Sequence, residues 1–551
     1  MSTAGFAAVQ APTTALAVVR FHSGPAWITV GACAAACVPA GLRWLRVAQR
    51  EHYLGGSVTR FAVRWWRATV LNVVLAVVAI ASAVGSLAWP IAGIGLAGAV
   101  ALGPLGLSLR GRTSPLTWTR RLRTLAATWA VVEIAMVVIG LVTGLAAPLA
   151  VGAALVVPVA VDLACWLTAP LERRLSAPFV EEATARIKRV HPTVVGITGS
   201  YGKTSTKGHV AHLVRPTRTV VATPASFNNR AGLARAINEH LADGTEVFIA
   251  EMGTYGPGEI ADLCRWCPPD IAVITAIGPV HLERFGTEDR IVEAKSEILG
   301  YAADVVLQVD DPRLAALADG AATEGKRVLR CSAIDRSADV CVVRNADGSR
   351  LSAYAQGEVL AEDVEVAAGV QPANLACAIA VAVLLHVEPA AIGARLRDLP
   401  QVDHRLQAVR APSGVTILDD TYNSNPAGAT EALSALAAPP GPGASPGPED
   451  EVDAARPRRL AVVTPGMVEL GARQFEENRR FGAAIAAMAT DLVIVGRTNR
   501  RALLAGAASV GGSSTLVRVV AGREQAVEWV RQHLVSGDAV LYENDLPDHY
   551  P

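Results

Sequence analysis

The sequence predicts an α-helical membrane region followed by two α/β domains. The apolar excess of this chain of 551 residues lies in residues 1–170, and the rest has the composition of a soluble protein. A Gly-rich loop, "TGSYGKT", follows a short apolar run and precedes a helix-compatible segment. Beyond Arg405, apolar runs again alternate with helix-compatible segments, which is typical of an α/β domain. The formal net charge is zero, so no basic field indicates a nucleic-acid partner.

Five apolar stretches in the first region are each close to the roughly 20 residues that a membrane-spanning helix needs. They are Trp27–Leu42, Thr69–Ala88, Ile91–Leu109, Leu125–Thr143 and Ala146–Leu167. Arginines cluster after the first and third stretches and beyond the fifth, whereas the other two turns carry no basic residue. Because basic loops stay in the cytoplasm, we expect an N-terminus outside and cytoplasmic catalytic domains. Residues 1–170 are therefore predicted to be integral to the cell membrane, with membrane lipid as a partner.

Two acidic residues, Glu133 and Asp162, fall inside the predicted spans. A charged group within a bilayer usually faces a helix bundle interior or a polar cavity. One hypothesis is a contact site for a lipid headgroup or an ion. The other, which we favour, is a hydrogen-bonded residue with a structural role.

Residues 171–190 form a charged connector that is compatible with a helix, and an α/β domain over 191–398 follows it. Its first strand, "TVVGIT", leads into the Gly-rich loop and then a helix from Thr204. In this order, backbone N–H groups and the helix N-terminus bind phosphate oxygens. Lys203 is expected to reach the terminal phosphates of ATP, and Thr204 to bind magnesium.

Two further buried strands of this domain end at candidate metal ligands. "VFIAEMG" ends at Glu251, and His281 comes just past the end of "DIAVIT" and the residues that follow it. Parallel α/β sheets place functional groups at the carboxyl ends of their strands. A carboxylate and a neutral imidazole at this edge predict a site that holds magnesium or orients a water molecule.

Residues 399–551 are predicted to form the second α/β domain. "GVTILDDTYNSNPAG" reads as a strand that ends in acidic residues before a helix, and "RRLAVVTPGMVELG" and "TDLVIVG" read as further strands. Residues 437–459 are rich in Pro and Gly and then acidic, which predicts a disordered surface loop.

These motifs together resemble the Mur ligase family, and most closely its MurF branch, over roughly Pro192 to the C-terminus. The quoted segments are "TGSYGKTSTK", "TPASFNNRAG", "AEMG", "HLERFG", "EAKSEIL", "ANLACAIA", "DHRLQ", "LDDTYNSNPAGATEAL" and "GMVELG". The resemblance implies a P-loop ATPase domain followed by a Rossmann-like C-terminal domain. It implies ATP and two magnesium ions as cofactors.

The resemblance also implies roles for individual residues. For ATP it implies Thr198, Gly199, Ser200, Tyr201, Gly202, Lys203, Thr204, Ser205, Asn374, Arg405 and Asp420. For substrate it implies Asn228, Asn229, Tyr422, Asn423 and Asn425. For metal it implies Thr204, Glu251, His281 and a carbamylated Lys295, and for catalysis it implies Lys203, His281 and Lys295.

Four departures separate this chain from the family pattern. The membrane stretches stand where the family has the small domain that binds its UDP-linked substrate. Ala276 replaces an Asn, "GVQPAN" lacks a His, and "YENDLPDHYP" replaces a basic C-terminal segment. The nature of the carboxylate and amine substrates, whether peptide or lipid-linked, therefore stays open.

The chemistry that these residues predict is amide formation through an acyl phosphate. Magnesium and Lys203 would neutralise charge on the transferred phosphoryl group. The main hypothesis is a membrane-anchored ATP-dependent carboxylate–amine ligase that acts in cell-envelope biosynthesis. The alternatives are a polyglutamate-type polymer synthase, an ATP-driven transporter, and a degenerate member that binds nucleotide as a scaffold. The transporter is disfavoured because the sequence has no motif of a transport ATPase.

Overall fold

The computed structural model describes residues 24–109, 111, 115–224, 227–345, 350–366, 369–400, 406–421, 425–438, 456–546 and 549–550. The chain divides into two compact units. The first comprises Met1–Leu175 together with Leu546–Pro551, and the second comprises Ser176–Asp545. The predicted disordered loop 437–459 lies largely outside the described residues.

The first unit is built from helices. They are Gly24–Arg50, Ser57–Arg67, Val70–Ser86, Gly93–Leu102, Arg120–Thr143, Ala146–Leu155 and the start of Val157–Val190, with a 3-10 turn at Pro90–Ala92. By length and composition, Gly24–Arg50 and Arg120–Thr143 could each cross a membrane. The number rises to four if each of two sharply bent helix pairs counts as one span.

The prediction of five full-length spans is wrong at the third stretch. Ile91–Leu109 forms a helix that ends at Leu102, before the Gly103–Pro104 peptide. Its 10 residues are about half of what a spanning helix needs. Proline lacks a backbone N–H and disfavours the helical conformation in the residue before it, which explains the early end. The predicted orientation of the N-terminus stays a prediction.

Both acidic residues of the predicted spans make hydrogen bonds within the first unit. Asp162 accepts from the backbone N–H groups of Val58 and Thr59 at 3.2 and 2.8 Å, so it caps the N-terminus of the helix Ser57–Arg67. Glu133 accepts from Trp129 Nε1 at 3.1 Å. These hydrogen bonds are the ones that a structural role of Asp162 and Glu133 predicts.

The last residues of the chain belong to the first unit, not to the second. His549 is buried, and its Nε2 lies 3.1 Å from Oε1 of buried Glu51. Its carbonyl accepts from Trp65 Nε1 at 2.8 Å, and its ring packs on Phe61. The departure "YENDLPDHYP" thus ends in a segment that packs among the N-terminal helices.

The second unit contains two sheets. The strands are β1 Thr193–Thr198, β2 Val220–Ala222, β3 Val247–Glu251, β4 Ile271–Ile274, β5 Asp304–Gln308, β6 Arg327–Ser332, β7 Val340–Arg344, β8 Arg350–Ala355, β9 Glu358–Glu365, β10 Gln407–Arg410, β11 Thr416–Asp420, β12 Leu460–Thr464, β13 Asp491–Val495, β14 Leu516–Val520 and β15 Ala539–Glu543. The helices between them are the end of Val157–Val190, then Lys203–Val214, Arg230–His240, Glu259–Trp266, Leu282–Phe285, Glu288–Ser296, Pro312–Thr323, Pro372–Leu384, Pro389–Leu396, Pro426–Ala437, Gln474–Met488, Arg500–Ala508 and Arg523–His533.

The first sheet has nine strands in the order β2-β3-β1-β4-β5-β6-β7-β8-β9. The strands from β2 to β7 pair in parallel, and β8 and β9 add an antiparallel extension. The central strands β1, β3 and β4 are buried almost throughout, because helices cover both faces of a parallel sheet. Ile197 of β1 pairs with Glu251 of β3, so the Gly-rich loop and Glu251 leave the same edge.

The second sheet has six strands in the order β10-β11-β15-β12-β13-β14, and only the edge strand β10 is antiparallel. Acidic residues end two neighbouring strands, since Asp420 of β11 pairs with Glu543 of β15. Asn425 begins the helix Pro426–Ala437 by accepting from Gly428 N at 3.0 Å. This order of strand, acidic end and capped helix is the one that the sequence predicts.

Candidate active site

The Gly-rich loop between β1 and the helix Lys203–Val214 is held by the segment that follows β4. Ser200 N donates to Ala276 O at 2.8 Å, and Ser200 Oγ and Gly278 N lie 3.0 Å apart in a second hydrogen bond. Tyr201 OH donates to Ile277 O at 3.3 Å. The loop conformation is therefore fixed by hydrogen bonds to Ala276, Ile277 and Gly278, which follow β4.

Gly202 is needed at its position for two reasons. Its φ of +84° is one that residues with side chains rarely adopt. A Cβ there would also stand 2.1 Å from Oδ1 of Asn374. Loop and Asn374 can approach this closely only because position 202 has no side chain.

The helix that follows the loop brings its first residues to Glu251. Thr204 Oγ1 donates to Glu251 Oε2 at 3.1 Å, and Lys207 Nζ donates to the same oxygen at 2.9 Å. Asn228 Nδ2 donates to Oε1 at 3.3 Å. Glu251 is buried, with a side chain 4% exposed. Four polar side chains thus meet at the carboxyl edge of the sheet.

The charge of Glu251 is stabilised by its neighbours. Burial would raise the pKa of this carboxyl, but the charges of Lys207 and Lys203 outweigh it, and the pKa is lowered from 4.5. Glu251 is therefore an anion near neutral pH, as a magnesium ligand must be.

The charged form of Lys295 is disfavoured, in contrast to that of Glu251. It is buried, and burial first and the charge of Lys203 second hold the pKa of its amine well below 10.5. A neutral amine has the lone pair that reacts with carbon dioxide, whereas an ammonium has none. The lowered pKa increases the share of Lys295 in this reactive form.

His281 follows β4 and pairs with the second α/β domain. Its backbone is left-handed, with φ of +59°, and its Nδ1 pairs with Oε2 of Glu469. Burial is the main cause that lowers the pKa of His281 below 6.5, against the opposing effect of Glu469. The imidazole is thus neutral near pH 7, the form that binds metal ions.

A cleft opens beside the Gly-rich loop. The first α/β domain contributes Tyr201, Gly202, Ser205, Gly369, Gln371 and Asn374, and the second contributes Leu406, Asp420, Asn425, Gly428 and Glu431. The position of the cleft beside the loop and the helix N-terminus suits a nucleotide.

The structure brings together many of the predicted residues and separates others. Asn229 lies at the N-terminus of the helix Arg230–His240, where its Oδ1 accepts from Gly232 N at 3.0 Å. Arg405, Tyr422 and Asn423 lie outside the described residues. All of the predicted roles in binding and catalysis stay predictions.

Two residues of the site, Lys207 and Glu469, have no role that the sequence predicts. Lys207 was not singled out, although its spacing of three from Thr204 places both side chains on one helix face. Glu469 was part of a quoted motif but had no assigned role, because its contact with His281 spans 188 residues.

The metal ligands that are predicted here do not form a closed protein cage. Within the described ranges, no three His, Cys, Asp or Glu side chains cluster as metal ligands. Magnesium is usually held by one or two carboxylates together with phosphate oxygens and waters. The Glu251 carboxylate, which accepts from the Thr204 hydroxyl, fits this type of site.

Comparisons with known proteins agree with this geometry. Residues 197–382 match the model of the Mur ligase middle domain. The UDP-N-acetylmuramoyl-tripeptide–D-alanyl-D-alanine ligase of Mycobacterium tuberculosis is 33% identical over 371 residues, which cover 63% of this chain and 69% of that enzyme. The chain belongs to the Mur ligase family. By name, this relative is a ligase of a UDP-linked tripeptide and D-alanyl-D-alanine.

Two further relatives define how far the likeness extends. The ligase of the same name from Bacillus subtilis is 26% identical over 364 residues, or 66% of this chain and 75% of that enzyme. The MurF ligase of Thermotoga maritima, solved in complex with ADP, has a TM-score of 0.54 at 27% identity. The matched region covers 67% of this chain and 80% of the Thermotoga chain. The likeness therefore covers about two thirds of this Mur ligase family member.

Proposed function

We propose that this protein is a membrane-anchored, ATP-dependent ligase that joins a carboxylate to an amine through an acyl phosphate. The observation that carries the proposal is the contact of Thr204 and Lys207 with Glu251 beside the Gly-rich loop. The chain has five lysines. Lys203 and Lys207 interact electrostatically with Glu251, and Lys203 also interacts with Lys295. Such a concentration of charge suits the binding and transfer of a phosphoryl group.

The loop and its helix supply the phosphate site. Lys203 Nζ donates to Gly199 O at 2.7 Å, so this lysine folds over the loop where phosphates would bind. Thr204 and Glu251 would hold one magnesium ion, and His281 and a carbamylated Lys295 would hold a second. Bound magnesium supplies electrostatic stabilisation of the charge that develops on the phosphoryl group.

The reaction that we propose has two steps. A carboxylate oxygen of the acid attacks the γ-phosphorus of ATP, and ADP leaves. The amine then attacks the carbonyl carbon, phosphate leaves with the electron pair of the C–O bond, and the amine nitrogen loses a proton. Residues of both α/β domains line the cleft, so a closed cleft would keep water from the acyl phosphate.

The departure at Ala276 leaves the loop intact. The residue contributes its carbonyl to Ser200 N, and this backbone hydrogen bond is available to any side chain. At this point of the site, the structure therefore gives no support to the degenerate scaffold.

The substrates are proposed from the names of the relatives and from the membrane helices. The acid would be a peptide of the cell envelope, either nucleotide-linked or lipid-linked, and the amine D-alanyl-D-alanine or an amino acid. Two helices that are long and apolar enough to cross a membrane support an anchor that places the enzyme beside a lipid-linked acceptor.

The test is phosphate release by the full chain in detergent with magnesium and ATP. The acids are UDP-N-acetylmuramoyl-tripeptide and its lipid-linked counterpart, and the amines are D-alanyl-D-alanine, L-glutamate and glycine. Lys203→Ala is the inactive control, and Lys188→Ala, at an exposed lysine, is the matched control. We expect release that requires both an acid and an amine, with the matching amide found by mass spectrometry. ATP binding without release for any pair would favour the scaffold and refute the ligase.

A further inference from the structure

The loop that follows β12 in the second α/β domain packs closely on the segment that follows β4 in the first. Glu283 N donates to Glu469 O at 3.2 Å. A Cβ on Gly471 would stand 3.2 Å from Glu283 N, so the two backbones approach without a side chain between them. Arg473 of the same loop pairs with Glu288. The two domains therefore have a defined contact at this point.

The centre of this contact is the pair of His281 and Glu469. Both residues have left-handed backbones, with φ of +59° and +64°, which is uncommon for residues other than glycine. The Glu469 carboxylate accepts from His281 Nδ1 through one oxygen and from Arg284 Nη2, at 3.3 Å, through the other. Unusual backbone conformations of this kind persist where the surrounding structure requires them.

The contact decides which nitrogen of the imidazole carries the proton. A carboxylate that is also paired with an arginine is an anion and can only accept, so His281 donates from Nδ1. In the neutral ring, the lone pair then lies on Nε2. Tyr255 packs edge-on against the ring at 5.0 Å, and Arg284 stacks over Tyr255 at 4.4 Å, which restricts the orientation of the imidazole further.

We propose that Glu469 is a positioning residue for magnesium. It fixes the tautomer and orientation of His281 so that the lone pair of Nε2 would be available to a magnesium ion. This inference rests on the proposed function only in taking His281 as a magnesium ligand. Because Glu469 belongs to the second α/β domain, the metal site reaches full affinity only when that domain is docked.

The expected size of the effect follows from other metal sites. Carboxylates that accept from a metal-bound histidine change metal affinity by about 10- to 100-fold when they are removed. Glu469→Ala removes the acceptor, so we expect a loss in this range. Glu469→Gln keeps an oxygen that can accept from Nδ1 but loses the charge, so we expect it to retain more affinity than Glu469→Ala.

The experiment measures binding and not turnover. Mn²⁺ replaces magnesium as a probe, and free Mn²⁺ is followed by electron paramagnetic resonance with adenylyl imidodiphosphate present. The proteins are the full chain and its Glu469→Ala, Glu469→Gln and His281→Ala variants. Arg473→Gln is the matched control, because it breaks a charge pair of the same domain contact without touching His281.

The inference is supported if Glu469→Ala weakens the binding of one Mn²⁺ about 10-fold or more, Glu469→Gln weakens it less, and Arg473→Gln changes it less than about threefold. Unchanged affinity in Glu469→Ala overturns it. Equal losses in Glu469→Ala and Arg473→Gln also overturn it, since docking alone would then explain them. Unchanged affinity in His281→Ala shows that His281 is no ligand, which refutes that part of the proposed function and the inference with it.

Discussion

Lys207 Nζ lies 2.9 Å from Oε2 of Glu251, and both side chains are less than 8% exposed. This buried ion pair lies at the edge of the sheet where the Gly-rich loop begins. Removal of one partner from a buried ion pair typically destabilises a protein by about 3–5 kcal/mol, because the other charge stays buried. The pair therefore links the stability of the first α/β domain to its candidate metal ligand.

The first prediction concerns this pair. Lys207→Met should lower the free energy of unfolding by about 3 kcal/mol, because Glu251 loses its nearest positive charge. Denaturant unfolding of the full chain in detergent measures the change, and Lys188→Met at an exposed lysine is the control. Equal stability of the two variants would contradict the role that we give to the pair.

The second prediction concerns the close approach of Gly202 to Asn374. Gly202→Ala should weaken the binding of ATP at least about tenfold, because the new Cβ displaces Asn374 from the cleft and strains the loop by 1–3 kcal/mol. Gly325→Ala is the matched control. That residue has nearly the same φ, +81°, but its Cβ would meet no atom within 4 Å. Competition with a fluorescent ATP analogue measures both affinities, and a similar loss in the two variants would show that strain alone is responsible.

The third prediction concerns pH and Glu543 at the end of β15. Burial raises the pKa of this carboxyl from 4.5 to about 8, and Thr464 donates to it. The folded protein therefore keeps a proton that the unfolded chain releases above pH 4.5. The free energy of unfolding should then fall as the pH rises from 4.5 to about 8.

Glu543→Gln tests this prediction, because the amide cannot ionise. The variant should lose stability less steeply than the parent between pH 5 and 8, as measured by urea unfolding at each pH. Glu524→Gln, at a helix N-terminus in the same domain, serves as the control. A parallel pH dependence in parent and Glu543→Gln would exclude Glu543 as its source.

The fourth prediction concerns the C-terminal segment. His549→Ala should lower the free energy of unfolding by about 2 kcal/mol, because the buried contact between His549 Nε2 and Glu51 Oε1 is lost. Thermal unfolding in detergent, followed by the fluorescence of tryptophans such as Trp65, measures the effect. His240→Ala, at an exposed histidine, is the control. A melting temperature equal to that of the parent would show that the segment does not stabilise the unit.

The local elements of the site could be predicted from the sequence because each is a short pattern. "TVVGIT" is strand β1, "VFIAE" is strand β3, and both end where the polar residues begin. Buried strands of a parallel sheet are continuous apolar runs, and such runs are visible without any partner. The positions of Thr204 and Glu251 at one edge follow from this order.

Contacts between distant parts of the chain could not be predicted in this way. No local pattern shows that Glu469 reaches His281, or that His549 packs against Glu51. The apolar stretch Ile91–Leu109 was also misjudged, because hydropathy alone does not show where a glycine–proline pair ends a helix. The antiparallel strands β8 and β9 were not foreseen either, since charged residues interrupt the apolar pattern of β9.

The most direct test of the account follows the oxygen atoms of the acid. UDP-N-acetylmuramoyl-tripeptide, or the acid that supports release in the assay above, is labelled with ¹⁸O in its reacting carboxylate and incubated with ATP, magnesium and the amine. Phosphate is then analysed by mass spectrometry. A carboxylate that attacks the γ-phosphorus transfers one labelled oxygen to phosphate when the amide forms. We predict one ¹⁸O in each released phosphate. Unlabelled phosphate would mean that water attacks ATP, and it would contradict the acyl phosphate mechanism.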